Sequence, residues 1–259
     1  MSSKELETNY NPWPLGHLPE EWQRSELSEL QKRGYTWDDP REIIWMFEKK
    51  MADYTGAPYA LAIDNCTDGI MLGLQWSLIN GKIKQGDILT FPSRCYVSPP
   101  MVAKVNGFKI RFEDENWSGL YQIKPTNVWD SAVRFQRDMY IEGSIQVMSF
   151  QIKKRLPIGK GGIILTDSKE MYDWARMASF EGRDLNKDQW DEQYEVMGWN
   201  MYMTLDDAAR GLLIMEDLEK KDWYEDSQDY TSYAPLNNQP IFKDDWSYDG
   251  YLNKLKSEK

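Results

Sequence analysis

The amino-acid sequence predicts an α/β fold in which helices flank a mainly parallel sheet. Short apolar runs at 145–148 and 162–166 are typical of buried strands. An amphipathic pattern at 40–51 predicts a helix, and at 64–70 the chain passes from a strand through a tight turn into another helix. Strands that alternate with helices in this way are the pattern of an α/β domain.

Composition limits the class of protein. The 259 residues can bury one large core or form two lobes. The 42 acidic residues outnumber the 31 basic ones, and the net charge of −11 argues against a general nucleic-acid-binding surface. With one histidine, His17, and two cysteines, we expect neither a His/Cys zinc site nor a His-based catalytic triad.

The sequence also predicts where the protein resides. No apolar run approaches the roughly 20 residues that a spanning helix needs, and the first residues do not resemble a secretory signal. Two cysteines provide no disulfide framework, which suits a reducing compartment. We therefore expect a soluble, cytoplasmic protein that binds neither membrane nor nucleic acid.

Residues 1–40 are predicted to form an N-terminal arm and a helix. Residues 1–20 are polar and rich in proline and glycine, which is typical of irregular chain, and 21–32 read as a helix that Gly34 ends. A second helix begins at Pro40 after two aspartates. Its predicted buried face consists of Ile43, Ile44, Phe47 and Met51.

The turn at 64–70 is a candidate anion site. The first N–H groups of a helix lack intrahelical partners and the helix dipole favours negative charge there, so a helix start binds phosphate well. Thr67 would add its hydroxyl and Asp68 its backbone N–H. Helix capping by Asn65 or Thr67 explains the same residues equally well.

One stretch is too short for a complete sheet unit. From Asp114 to Asp130 the chain has about half of the roughly 30 residues that a βαβ unit requires. We predict that one sheet element is missing and that a loop at 115–126 leads directly to a strand at 127–129.

The stretch at 149–162 offers a lysine between two predicted interior strands. Burial lowers the proton affinity of a lysine and makes it a usable nucleophile, as in lysines that form Schiff bases. The other interpretation is a solvated basic turn, which the spacing alone favours and which would attract an anionic ligand. The basic residues concerned are Lys153, Lys154, Arg155 and Lys160.

These residues resemble a known cofactor site. Ser149-Phe150, a lysine at position 154 and a Gly-x-Gly-Gly ending at Gly162 resemble the pyridoxal phosphate (PLP) site of the DegT/DnrJ/EryC1/StrS sugar aminotransferases. Further blocks of that family follow in its order over roughly 42–218. They are Phe47-Glu48, Tyr54-Thr55-Gly56, Asn65-Cys66-Thr67, Trp129-Asp130-Ser131-Ala132 and Gly198-Trp199-Asn200. The resemblance implies a PLP-dependent transferase type I fold and a homodimer with shared active sites.

The resemblance also implies roles for individual residues. Lys154 would bind PLP covalently, and Asp130 would keep the pyridine nitrogen protonated so that the ring acts as an electron sink. Tyr96 would stack on the ring. The phosphate contacts would come from Thr67, the Asp68 backbone, Ser149 and, from the other subunit, Asn200. Turn-forming roles remain the alternative for Asp130 and Asn200.

The chain departs from the family pattern at further places besides the shortened sheet unit. Val133 stands where the family commonly has glutamine or histidine near the cofactor. The residues after Leu218 are too few for the family's small C-terminal domain. We therefore predict a PLP-binding major domain at 41–218 and a short tail at 219–259 that crosses the body as a strap.

The resemblance implies a reaction. An amino group would pass from an amino acid, expected to be glutamate, to a nucleotide-linked keto sugar. A branch of the family that dehydrates sugars carries histidine in place of the lysine, so Lys154 favours transamination. The alternative is a catalytically lapsed scaffold or binding protein, which Val133, the shortened sheet and the short tail favour.

Overall fold

The computed structural model describes residues 24–188, 190–221, 224–243 and 246–257. The predicted arm at 1–20, with His17, and residues 21–23 of the first predicted helix lie outside this set. The described part of that helix is α1 (Ser25–Lys32), and Gly34 follows it with a φ of 89°. Leu30 is fully buried, so α1 packs on the body of the molecule.

The other α-helices of the described residues follow in chain order. They are α2 (Glu42–Thr55), α3 (Cys66–Ile79), α4 (Ser98–Val105), α5 (Lys169–Ala178), α6 (Leu205–Leu218) and α7 (Tyr248–Ser257). The last of them, α7, lies in the tail, where no helix was predicted. The predicted face of α2 is buried, and Gly56 ends this helix with a φ of 77°, a conformation that glycine adopts without strain. Among the described residues no helix is long and apolar enough to cross a membrane.

In the part of the chain that the structure describes, the strands form one five-stranded sheet and one parallel pair. The sheet contains β1 (Tyr59–Ile63), β4 (Tyr121–Gln122), β5 (Val128–Asp130), β6 (Ile145–Ser149) and β7 (Gly162–Thr166), in the order β1-β7-β6-β5-β4. The pair consists of β2 (Ile88–Pro92) and β3 (Lys109–Glu113). A bridge between Thr90 and Lys124 joins this pair to the chain beside β4.

The sheet is mixed, and the expectation of a mainly parallel sheet is wrong in this respect. Only β5 and β6 pair in parallel within the described five-stranded sheet, whereas β7 is antiparallel to both of its neighbours and β4 is antiparallel to β5. Parallel neighbours need a long crossover, usually through a helix. The connection from β4 to β5 spans only residues 123–127, which is too short for such a crossover, so these two strands run antiparallel. The longer connection at 131–144 joins the parallel strands β5 and β6 without a helix.

The shortened stretch also differs from its prediction. A loop was expected to reach β5 directly, but the segment forms the two-residue strand β4, which pairs with β5 at the edge of the sheet. What is missing between Asp114 and Asp130 is the helix of a sheet unit. The shortened segment therefore keeps a strand, which forms an antiparallel hairpin with β5.

Hydrophobic residues cover both faces of the sheet. Leu61 and Ile63 of β1 belong to one buried cluster, and the alternating Ala60 and Ala62 belong to the other. Successive strand side chains point to opposite faces, so a sheet with helices on both sides reads as a continuous apolar run. This arrangement fixes the strand ends on which the cavity described below is built.

Part of the tail crosses one edge of the sheet, and we call residues 224–236 the strap. The N–H of Gly119 donates to the Gln228 carbonyl at 3.1 Å, and the N–H of Leu236 donates to the Ser93 carbonyl at 2.8 Å. Asp226 forms an ion pair with Arg134 at 2.7 Å. The strap thus lies against the shortened segment that carries β4.

Candidate active site

A cavity of about 400 Å³ lies at the sheet edge where β1, β5 and β6 end. Because β7 is antiparallel to both β1 and β6, and β5 is parallel to β6, the carboxyl ends of β1, β5 and β6 share this edge. Open α/β sheets place ligands at that edge. The sequence-predicted site residues that line the cavity are Thr67, Tyr96, Asp130, Ser149 and Lys154.

Lys154 lies in the loop after β6 and is partly buried, whereas its neighbour Lys153 is exposed. Burial lowers the pKa of Lys154, while the negative charge of Asp130 acts in the opposite direction. The net pKa lies below the ordinary lysine value, so a larger fraction of the amine is neutral and nucleophilic. The solvated-turn interpretation therefore suits Lys153 and not Lys154.

Asp130 ends β5 and is 5% exposed. Its Oδ2 accepts a hydrogen bond from the Tyr121 hydroxyl at 2.7 Å, and its Oδ1 accepts one from the Ala132 N–H at 2.9 Å. Burial raises the pKa of Asp130, and these hydrogen bonds together with the Lys154 charge lower it in part. A carboxylate in this position would gain from a further positive partner within the cavity.

The start of α3 faces the cavity with Cys66 and Thr67. Asn65 is the N-cap, because its Oδ1 accepts the Asp68 N–H at 3.0 Å. The Asp68 N–H, which was predicted to contact the phosphate, is thus bonded to the Asn65 side chain in this structure, and its phosphate contact stays a prediction. The N–H groups of Cys66 and Thr67 occupy the first helical positions, where intrahelical acceptors are lacking.

A glycine allows β7 to approach this helix start. A Cβ on Gly162 would lie 2.7 Å from the Cys66 nitrogen, 2.8 Å from the Asn65 carbonyl carbon and 2.8 Å from the Met148 oxygen. These are backbone atoms, which cannot rotate away. The close packing that places α3 beside the loop of Lys154 therefore depends on the absence of a side chain at position 162.

Ser149 and Tyr96 complete the predicted set at the cavity. Ser149 ends β6, and its hydroxyl accepts the Gln151 N–H at 3.4 Å. Tyr96 follows β2, is 60% exposed and lines the cavity. Its exposed ring leaves a π face available for stacking on a flat ligand.

Comparison with known proteins now identifies the family. The model of the DegT/DnrJ/EryC1/StrS aminotransferase family matches residues 23–130 and 139–232, which is most of the chain. The chain belongs to this family. The predicted family is thereby confirmed.

One curated protein is similar to much of this chain. GDP-perosamine synthase of Escherichia coli O157:H7 is 26% identical over an alignment that covers 71% of this chain and 60% of the relative. The chain thus spans about three fifths of the length of that relative.

Solved structures show the fold. 3-Amino-5-hydroxybenzoic acid synthase has a TM-score of 0.60 at 19% identity, over 80% of this chain and 64% of that one. NtdA from Bacillus subtilis, solved with the cofactor PMP bound, has a TM-score of 0.58 at 20% identity, over 76% of this chain and 52% of that one. The predicted fold of the PLP-dependent transferases is confirmed.

Asn200, predicted from the family pattern, lies away from the cavity of the single chain. It is exposed, and its Nδ2 donates to Glu181 Oε1 at 2.6 Å. An exposed position is compatible with contact across a subunit boundary. Its role toward a second subunit stays a prediction.

Several cavity residues of this family member were not foreseen from the sequence. Tyr121 and Trp117 come from the shortened segment, and Gln228 and Tyr233 come from the strap. The aromatic residues of these two segments are visible in the sequence, but nothing local indicates that they meet. The pairing of β4 with β5 places Tyr121 opposite Asp130, and the hydrogen bond from the Gly119 N–H to the Gln228 carbonyl holds the strap beside it.

Proposed function

We propose that this protein is a PLP-dependent aminotransferase that moves an amino group from an amino acid to a keto sugar. The observation that carries the proposal is the partly buried Lys154 facing the buried carboxylate of Asp130 in one cavity, close enough for each charge to shift the pKa of the other. A nucleophilic lysine and a carboxylate for a ring nitrogen are the two groups that PLP chemistry needs. Membership of the DegT/DnrJ/EryC1/StrS aminotransferase family supports the same proposal.

The cavity residues fit PLP in charge and in hydrogen-bonding capacity. Burial removes water from the Asp130 carboxylate and raises its pKa, and the positive charge of a protonated pyridine nitrogen would offset this loss. Lys154 would bind the aldehyde carbon covalently. The start of α3, with the Thr67 and Ser149 hydroxyls, would hold the phosphate, and Tyr96 would stack on the ring.

The chain's own residues then perform the proton transfers. When bound, PLP supplies an electron sink that stabilises negative charge at the Cα of an amino acid. Once the amino group of the substrate has displaced it from the cofactor, Lys154 would be a free amine that removes the proton from that Cα and later acts as the general acid. Its lowered pKa keeps more of the amine neutral and ready to accept the proton. Asp130 would hold the ring nitrogen in its protonated form throughout.

For substrates we infer glutamate as the donor and a nucleotide-linked keto sugar as the acceptor. The name of the curated relative, GDP-perosamine synthase, supports an acceptor of this class. Lys153 is exposed and lines the cavity, where its charge would attract a diphosphate. We further infer a cytoplasmic homodimer in which Asn200 serves the partner's site.

The experiment is a half-reaction with glutamate in the absence of an acceptor. Protein loaded with PLP should convert the cofactor to its amine form, seen by absorbance, and should release 2-oxoglutarate in stoichiometric amount. Lys154→Ala should abolish the conversion, and Lys153→Ala is the matched control that should retain it. Equal loss in both variants, or no conversion by a wild type that binds PLP, would contradict the proposal.

A second candidate is a scaffold that keeps the fold without turnover. The observations in its favour are Val133 at the cavity and the absence of a helix between β3 and β5. A scaffold of this kind would bind PLP without converting it in the presence of any amino acid. The half-reaction with a panel of amino donors therefore separates the two candidates.

A further inference from the structure

A buried tyrosine contacts the carboxylate at the bottom of the cavity. Tyr121 is 3% exposed, and its hydroxyl donates to Oδ2 of Asp130 at 2.7 Å. The two residues lie opposite each other in the antiparallel β4–β5 pair, so the backbone itself aligns them. The Ala132 N–H donates to Oδ1, so both carboxylate oxygens accept hydrogen bonds from the protein itself.

Tyr121 is held in turn by residues of the strap and of the shortened segment. Its ring centroid lies 5.1 Å from that of Trp117, and the Trp117 ring lies 5.6 Å from that of Tyr233. The indole N–H of Trp117 donates to the Arg94 carbonyl at 2.8 Å, and the Trp117 carbonyl accepts the Tyr230 N–H at 3.1 Å. These contacts leave the tyrosine hydroxyl little freedom to move away from Asp130.

We propose that Tyr121 is a positioning residue for Asp130: its hydroxyl orients the carboxylate in the cavity and keeps it ionised for a protonated ring nitrogen. The inference rests on the proposed PLP function. Tyr121 acts through Asp130 and needs no contact with cofactor or substrate. The shortened segment thus contributes to the site a tyrosine that holds the Asp130 carboxylate.

The charges around Asp130 set the direction of the effect. The titratable groups that face it are Cys66 from α3, Cys95 after β2, Tyr121 from β4, Lys154 after β6 and Tyr233 from the strap. Burial raises the pKa of Asp130, whereas the hydrogen bonds from Ala132 and Tyr121 and the Lys154 charge lower it. Burial and the nearby carboxylate raise the pKa of Tyr121, so it stays a protonated donor. Removal of the Tyr121 hydroxyl should therefore raise the pKa of Asp130, so that the carboxyl becomes protonated at a higher pH.

The first test measures PLP dissociation constants across pH for wild type, Tyr121→Phe and Tyr35→Phe. Near neutral pH we expect Tyr121→Phe to bind PLP about tenfold more weakly, as for loss of a hydrogen bond to a charged group. The pH below which binding weakens should also move upward. Tyr35→Phe removes a tyrosine–carboxylate hydrogen bond of 3.0 Å to Glu216, on α6 and outside the cavity, and should keep the wild-type profile. A Tyr121→Phe profile that matches wild type would overturn the proposal.

A double-mutant cycle with Asp130→Asn tests whether the tyrosine acts through the carboxylate. In the Asp130→Asn background, adding Tyr121→Phe should change PLP affinity less than about twofold, because the group it serves is gone. An equal loss in both backgrounds would assign Tyr121 a purely structural role. Circular dichroism of each variant confirms that it is folded.

An apoprotein measurement keeps this inference separate from the proposed function. A carboxyl whose pKa is raised on folding binds more protons in the folded state, so its contribution to stability falls as pH rises through the window between the unfolded and folded pKa values. Tyr121→Phe should extend that fall to higher pH, and Asp130→Asn should remove it. If wild type fails to bind PLP, the proposed function fails while this unfolding profile still decides the role of Tyr121. An unchanged profile in Tyr121→Phe would refute the positioning role alone.

Discussion

Gly162→Ala should destabilise the protein and distort the cavity together. The added Cβ would lie 2.7 Å from the Cys66 nitrogen and 2.8 Å from two other backbone atoms, distances that real Cβ atoms do not tolerate. Relief requires β7 and the start of α3 to separate. Overpacking of this kind costs about 1–3 kcal/mol in the free energy of unfolding. For a chain of this size the melting temperature falls by roughly 2–4 °C per kcal/mol.

The assay combines denaturant unfolding with PLP titration. Gly250→Ala is the matched control, because Gly250 lies in the exposed helix α7 and meets only the Ser247 hydroxyl at 3.2 Å. That substitution should leave stability unchanged or raise it by about 0.5–1 kcal/mol through helix propensity. Gly162→Ala should also weaken PLP binding, since the helix start moves. Wild-type stability and affinity in Gly162→Ala would refute the claim that this contact sets the position of α3.

Three further outcomes are expected. Arg176→Met should cost about 3–5 kcal/mol in a urea titration because it strands the buried carboxylate of Glu48, whereas Lys49→Met, at an exposed pair, should cost less than about 1 kcal/mol. Asp226→Asn should loosen the strap, measured as faster proteolytic cleavage within 224–236, and unchanged cleavage would contradict its anchoring role. Because burial lowers the pKa of Lys154, the rate at which PLP attaches to it should stay high at pH values where attachment to free lysine has already slowed. Stopped-flow absorbance across pH measures this rate, and a pH profile like that of free lysine would contradict the prediction.

The sequence was sufficient where a local pattern decides the structure. The buried face of α2 follows from apolar spacing, and β6 and β7 follow from short apolar runs bounded by turns. Family motifs then placed Lys154 and Asp130, which the fold brings to one cavity. Each of these features depends on residues that are close together in the chain.

The sequence was not sufficient where distant segments meet. The hydroxyl of Tyr121 reaches Asp130 only because a two-residue strand pairs with β5, and its length gives almost no periodic signal. Tyr233 of the strap lines the same cavity, although it lies more than a hundred residues after Asp130 in the chain. At the start of α3 the sequence left helix capping and phosphate binding open, and the structure shows the capping hydrogen bond from the Asp68 N–H to Asn65.

The central claim is that Lys154 is the residue that binds PLP. The most direct measurement is borohydride reduction of the PLP-treated protein, followed by peptide mapping of the label by mass spectrometry. The account predicts one labelled peptide, with the label on Lys154. Label on Lys153, label scattered over surface lysines, or no label at all would contradict it.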